Sequence, residues 1–301
     1  MLSGGAVPAI SVIVPTFDRA HLLPAVLDSV LAQRECPSFE VVVVDDASTD
    51  DTPAVLASRR DLRVVRLSRN GGVARARQAG AERARGALLA FHDSDDLMLP
   101  GRLGVLARFL EANPDAGAVF ANGLVEADGS PDVGPLVPVA LARRLDGRSF
   151  GVREVVCERL PVFLQTALIR RAAFDAAGGI DVTLARHADL ELTCRLALTG
   201  RTVFLDVPVF RYRLHGANQT RDRLALREGM VAVMRRLRER HPEVVAQLGE
   251  RWFRERERRH LYRIAWRHWM AAWLHAHPGE LVVAGAAVRQ ALALHRRPTH
   301  G

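Results

Sequence analysis

From Ile10 to Val125, short apolar runs alternate with stretches whose apolar residues recur at helical spacing. Ile10–Val14 reads as a strand and Leu22–Ala32 as a helix. Glu40–Val44 (EVVVV) is a continuous apolar run, the pattern of a strand buried on both faces. Asp51-Thr52-Pro53 opens a helix with proline in its first turn. Arg63–Leu67 is a third strand, Gly72–Arg85 a helix, Ala87–Phe91 a fourth strand, Pro100–Glu111 a helix and Ala118–Val125 a fifth strand. This alternation with short links predicts an α/β fold with a mostly parallel central sheet covered by helices on both faces. Asp128-Gly129-Ser130-Pro131 predicts a turn, and residues 132–160 carry weak signals that read as a variable loop region. Helical pattern returns at Arg170–Ala177 and Ala188–Leu198, and Val203–Val207 reads as a strand. The chain from Arg221 onward reads as helical, broken at His241-Pro242 and His277-Pro278-Gly279.

Charge sharpens the boundary near Arg221. The 301-residue chain has a formal net charge of +8, and all its basic residues apart from histidine are arginines. Residues 221–301 hold 17 arginines against eight acidic residues, so the body is near neutral and the tail carries the excess. All four tryptophans also lie in the tail. Tyr262, Trp266, Trp269 and Trp273 recur at steps of four, three and four, one stripe on a helix. Such a stripe either packs on the body or a second subunit, or lies at a membrane surface with arginine towards anionic lipid. The run Arg251–Arg259 contains Glu255 and Glu257 and reads as a self-compensating solvated face. No nucleic-acid-binding motif accompanies the basic tail, so nucleic acid is not an expected partner.

Several classes are set aside. A chain that is 49% hydrophobic and 25% charged is not disordered. No window reaches the about 18 uninterrupted apolar residues of a spanning helix. Met1–Ala9 lacks the basic and apolar regions of a secretory signal. Cys36, Cys157 and Cys194 show no metal spacing and fit a reducing compartment, so the expected location is cytoplasmic. The absence of lysine rules out Schiff-base and phosphate-loop lysine chemistry. The first strand ends Val14-Pro15-Thr16-Phe17, with no glycine fingerprint for a dinucleotide, and no G-x-S-x-G elbow occurs.

Candidate chemistry lies at strand ends. The second strand runs into Asp45-Asp46-Ala47-Ser48-Thr49-Asp50-Asp51, and the fourth into His92-Asp93-Ser94-Asp95-Asp96. In an open parallel sheet, ligands bind beyond the carboxyl ends of the strands. Helix capping accounts for Ser48, Asp50 or Asp51 but not for three carboxylates within Asp93–Asp96. Carboxylates that close repel one another unless a cation joins them, and an all-oxygen donor set suits Mg²⁺ or Mn²⁺. An Asp-x-Asp at a strand end therefore reads as a metal-diphosphate site.

The segments SVIVPTFDR (11–19), EVVVVDDASTDDT (40–52), RNGGVARARQAG (69–80) and ALLAFHDSDDLMLPGRL (87–103) resemble the successive motifs of glycosyltransferase family 2. GGIDVTLARHADLELTCRLA (178–197) and VFLDVPVFRYRLHGANQT (203–220) resemble its later motifs. The resemblance implies a GT-A fold over residues 1–220, with a nucleotide-binding half (8–125) and an acceptor-binding half (126–220), followed by a C-terminal helical extension (221–301). It also implies inverting transfer of a sugar from a nucleotide diphosphate donor, UDP-linked by preference, with Mn²⁺ or Mg²⁺. The acceptor would be a carbohydrate, a lipid-linked sugar or a small molecule. The same resemblance implies that Pro15, Thr16, Arg19, Asp45 and Asp46 hold the nucleotide, with Arg77 near the base or diphosphate. It places Asp93 towards the ribose, Asp95 on the metal and Asp96 in the loop beside them. It makes Asp189 the catalytic base, with Asp181 and Glu191 as rivals on residue type alone, and His215 a group near the metal or diphosphate.

Two departures from the family pattern stand out. Ala188 replaces the family glutamate before Asp189, and Gln78 follows Arg77 where asparagine is common. Gln247-Leu-Gly-Glu-Arg251-Trp252 is one residue too long for the processive Q-x-x-R-W motif, which predicts single transfer. The alternative reading is a catalytically silent nucleotide-binding protein of this fold that acts through its C-terminal helices, as a homodimer or on a membrane or other partner.

Overall fold

The computed structural model describes residues 7–126, 133–157, 160–213, 222–275 and 278–296. The chain begins with β1 (Ile10–Thr16), α1 (Leu23–Leu31), β2 (Phe39–Asp45), α2 (Thr52–Ala57), β3 (Arg63–Arg66), α3 (Val73–Arg83) and β4 (Leu88–Phe91). Next come β5 (Leu97–Met98), α4 (Arg102–Ala112), β6 (Ala116–Glu126) and β7 (Val133–Pro135). They are followed by α5 (Val139–Leu145), β8 (Arg148–Ser149), α6 (Val152–Val156), β9 (Ala167–Arg170), α7 (Arg171–Ala176), α8 (Ala188–Thr199) and β10 (Arg201–Arg213). The helices α9 (Arg223–Arg240), α10 (Pro242–Leu248), α11 (Glu250–His275) and α12 (Pro278–Arg296) complete it. The described residues form two compact units, one within Met1–Thr183 and Leu192–His215, the other within Leu184–Glu191 and Gly216–Gly301.

The first unit is a single sheet in the order β3-β2-β1-β4-β9-β6-β10-β5, with β7 added to β6 and β8 to β10. The pairs β1–β2, β2–β3, β1–β4 and β6–β10 are parallel, and β9 runs antiparallel between β4 and β6. The valine run of β2 shows why both faces are covered. Strand side chains alternate between faces. Val41 and Val43 join Val12 and Val14 in a core closed by Leu23 and Leu27 of α1 and Leu103 and Leu106 of α4. Val42 and Val44 point the other way, onto Ala76 of α3. Gly80 lets α3 approach the sheet this closely, since a Cβ there would lie 2.4 Å from Ile13 Cγ2.

Two regions differ from the sequence expectation. Residues 132–160 hold α5 and α6, of seven and five residues, too short to display helical periodicity. β9 was hidden for a similar reason. Its four residues carry no alternation, and their strand state comes from β4 and β6 on either side. The next residue, Arg171, secures the join by donating to the carbonyls of Gly86, Ala81 and Ala84 at the C-terminal end of α3 and just beyond it. The turn expected at Asp128–Pro131 lies outside the described residues.

The second unit is helical. Val231 of α9, Leu261, Ile264 and Ala265 of α11, and Ala287 and Ala291 of α12 form its core. Glu257 is buried and accepts from Arg235 Nε (2.5 Å) and Arg238 Nη1 (3.0 Å), so this part of the charged run faces α9 rather than solvent. Among the described residues no helix is long and apolar enough to cross a membrane.

Candidate active site

Because β1, β2 and β4 are parallel, their carboxyl ends share one edge of the sheet. The loops after β1 and β2 are tied together by side chains. Asp18, at φ +49°, accepts the Thr49 amide (2.7 Å), while Ser48 Oγ accepts the Asp18 amide (3.0 Å). The Arg19 amide donates to Thr52 Oγ1 at 3.0 Å. Thr16 ends β1 and is buried with Pro15 before it, and its Oγ1 has no hydrogen-bond partner. A buried hydroxyl without a partner, at the sheet edge where ligands bind, is a polar group suited to a ligand.

The first acidic pair is occupied by the protein itself. Asp45 accepts the Ser48 amide at 2.9 Å and faces Arg66 at 3.4 Å. Asp46 reaches across to the loop before α3, where its two oxygens accept the amides of Gly71 (2.8 Å) and Gly72 (2.7 Å). Gly72 has φ +84°, a conformation that glycine adopts freely and side-chain-bearing residues adopt only with strain. Asp46 therefore sets the entry of α3 and, four residues on from Val73, the position of Arg77.

The second cluster is built differently. One oxygen from each of Asp93, Asp95 and Asp96 lies within 4.8 Å of the others. Asp96 is fully buried and anchors the loop. It accepts from Gln165 Nε2 (2.6 Å) and from the Arg213 amide on β10 (2.9 Å). Burial and then the neighbouring Asp95 charge push its carboxyl up to about 8, the response of a carboxylate crowded by like charge. Arg213 Nε donates to the Asp95 carbonyl at 2.8 Å. Asp93 and Asp95 remain half-buried, and each meets an arginine. Arg77 Nη2 donates to Asp93 Oδ1 at 2.5 Å, and Arg19 Nη2 lies 3.9 Å from Asp95 Oδ2. The structure thus brings Arg19, Arg77, Asp93, Asp95 and Asp96 together, with Asp46 holding the segment that carries Arg77. Among the described residues three carboxylates converge with no sulfur or imidazole in the group, a donor set that fits a hard divalent cation.

Arg102 carries no mark of a site residue in the sequence, where it lies near the start of the helix read over Pro100–Glu111. It is buried in full beneath the cluster. Its Nη2 donates to the carbonyls of Phe91 (2.9 Å) and Ala167 (3.2 Å), and its Nη1 to His92 Nδ1 (3.2 Å). Burial lowers the guanidinium to about 9, with Asp93 opposing, so it stays cationic at neutral pH. Burial, then Arg102, holds His92 well below its usual range, so the ring is neutral with its proton on Nε2. Gln165 and Arg213 were missed as well, for each is far along the chain from the aspartates it holds.

Asp189 lies in the second unit, in the first turn of α8, half-buried, with its own Oδ1 accepting the Leu190 amide at 2.9 Å. Its rivals differ from it. Asp181 accepts the Thr183 amide (3.0 Å) and hydroxyl (2.5 Å) in a local turn, and Glu191 is buried. His187, at φ +60°, precedes the helix and its Nε2 lies 2.9 Å from the Leu226 carbonyl. Ala188 is buried, so the position of the family glutamate faces the interior. His215 lies outside the described residues.

A sheet of this order, with an antiparallel strand inserted beside an aspartate-bearing edge, defines the GT-A fold. Residues 11–175 match the family model described as glycosyl transferase family 2, and the chain belongs to that family. It is 42% identical over 117 residues to the succinoglycan biosynthesis protein ExoO of Rhizobium meliloti, a match covering 38% of this chain and 32% of that protein. Matches to other curated relatives likewise cover half of their length or less. Two solved structures share the fold. S. aureus TarS 1-349 in complex with UDP-GlcNAc superposes with a TM-score of 0.66 at 21% identity, covering 95% of this chain and 81% of that one. The mannosyltransferase PcManGT from Pyrobaculum calidifontis, in complex with GDP-Man and Mn²⁺, gives 0.58 at 20% identity, covering 95% and 87%.

Proposed function

We propose that this protein transfers one sugar per encounter from a nucleoside-diphosphate sugar, UDP-linked by preference, to an acceptor hydroxyl, with inversion at the anomeric carbon. The acceptor is a carbohydrate, a lipid-linked sugar or a small molecule. The observation that carries this reading is the aspartate cluster after β4, flanked by Arg19 and Arg77 at the ligand-binding edge of the sheet. A TarS structure with UDP-GlcNAc and a PcManGT structure with GDP-Man and Mn²⁺ on the same fold support the donor class and the cation.

In this reading Pro15, Thr16, Asp45 and Asp46 frame the nucleotide. Thr16 offers its unpartnered hydroxyl, and Asp45 and Asp46 act through the loops they hold. Asp93 and Asp95 hold Mn²⁺ or Mg²⁺, with His215 placed near the metal or diphosphate by resemblance. When bound, the cation offsets the charge that develops on the departing diphosphate. Arg77 and Arg19 add charge-assisted hydrogen bonds to the same oxygens. The acceptor oxygen attacks the anomeric carbon as the bond to the diphosphate oxygen breaks, its electron pair leaving with that oxygen. Asp189 accepts the acceptor's proton, a contribution worth about 10²–10⁴ in rate. No covalent intermediate is required.

A panel of nucleotide sugars with Mn²⁺, with and without chelator, tests this directly through release of the nucleoside diphosphate. Asp189→Asn is expected to lower kcat by about 10²–10⁴ while nucleotide binding is retained. NMR of the product should show the inverted anomer. Nucleotide binding without release for every donor and acceptor would instead support a silent binding protein.

A further inference from the structure

The helical unit carries an open groove of about 1160 Å³ between α9, α11 and α12. Tyr262, Trp266 and Trp269 line it from α11, and Leu281 and Val288 from α12, at spacings that put each set on one face. These are not core residues that happen to reach the surface. Trp266 is 63% exposed, Trp269 47% and Leu281 51%. The two indoles stack with centroids 5.4 Å apart. Arg227, Arg263 and Arg267 also line the groove, and no acidic side chain is among the described residues that do.

This combination separates the candidate occupants. An apolar patch of this kind marks an interaction surface. A second copy related by a two-fold axis would bring the arginines of one groove against those of the other, a like-charge arrangement that disfavours it. A surface that is apolar beneath and negatively charged above complements it. Indole rings settle where apolar and polar media meet, and guanidinium groups pair with phosphates.

We propose that this groove docks the protein on a bilayer containing anionic lipid. Trp266, Trp269 and Leu281 enter the boundary between headgroups and acyl chains, and Arg263 and Arg267 take the headgroup phosphates. The proposal concerns the helical unit alone and is independent of the sugar-transfer reading, because its readout involves no nucleotide and no turnover.

The test is flotation of the full chain with vesicles of phosphatidylcholine alone and with added phosphatidylglycerol, together with tryptophan emission. All four tryptophans lie in residues 221–301, so emission reports on this region. Partition and a blue shift are expected with the anionic vesicles only, both weakened by salt. Arg263→Glu with Arg267→Glu should weaken partition by about thirtyfold or more. Trp266→Ser with Trp269→Ser should remove most of the blue shift and weaken partition several-fold, with helix content by circular dichroism unchanged. If either double variant loses helix content, quenching of wild-type emission by brominated lipid decides instead, and absence of quenching overturns the proposal. Failure of the wild type to float with anionic vesicles would overturn it. So would unchanged partition of a folded arginine variant, or a lipid-free dimer that the tryptophan variant dissociates.

Discussion

The acidic runs after β2 and β4 look alike in sequence, yet they do different work. After β2 the carboxylates are occupied by backbone amides, with Asp45 on Ser48 and Asp46 on Gly71 and Gly72. After β4 Asp96 is held by the Gln165 side chain and the Arg213 amide, while Asp93 and Asp95 meet the guanidinium groups of Arg77 and Arg19, stay half-exposed and have one oxygen each converging on the group. A carboxylate satisfied by amides builds a loop, whereas converging carboxylates repel one another and form a donor set that a cation can join. The loop-building pair comes first in the chain and sets where the arginine of the second site stands.

The contrast predicts opposite phenotypes. Asp95→Ala should abolish most turnover, a loss of about 10²–10³ in kcat/KM, while the melting temperature stays within a degree or so of wild type. Equal loss of stability would show that the second cluster is structural too. Asp46→Ala should do the reverse in origin. Losing two charge-assisted bonds to the Gly71 and Gly72 amides should cost about 3 kcal/mol of stability by denaturant titration. Activity should fall only as Arg77 loses its position, and a variant as stable as wild type would break the comparison.

Arg102 sharpens it further, as a buried cation that supports the second cluster from below. Arg102→Met leaves the Phe91 and Ala167 carbonyls without their donor and should destabilise by about 2–3 kcal/mol. The smallest expected effect lies at the other end of β2, where Glu40 is purely architectural. Its burial opposes ionisation, but bonds from the Ser11 hydroxyl and from the amide and guanidinium of Arg85 outweigh this and hold it below the usual carboxylate range. A depressed folded-state pKa adds stability above the unfolded value, near pH 4.3, that is lost as pH falls through the folded one. Glu40→Gln should therefore cost about 1–2 kcal/mol near neutral pH, and the gap to wild type should close on acidification. A gap that does not vary with pH would contradict this account.

The sequence alone determined the parallel core, because strand burial and helix amphipathicity are local patterns. EVVVV reads as doubly buried without any partner in view, and Val41–Val44 split between the two faces as that pattern requires. It also placed the aspartates, since acidic residues that follow a parallel strand must emerge at its carboxyl end. Tertiary structure decided what those aspartates do. Whether a carboxylate is consumed depends on donors far along the chain, as with Asp96 and its partners Gln165 and Arg213. Nothing at Arg102 distinguishes a surface helix residue from a guanidinium sealed under the site. Only the packing of α4 against the sheet, with β9 inserted at its centre, settles that, because burial is a property of the whole assembly of elements rather than of any one of them.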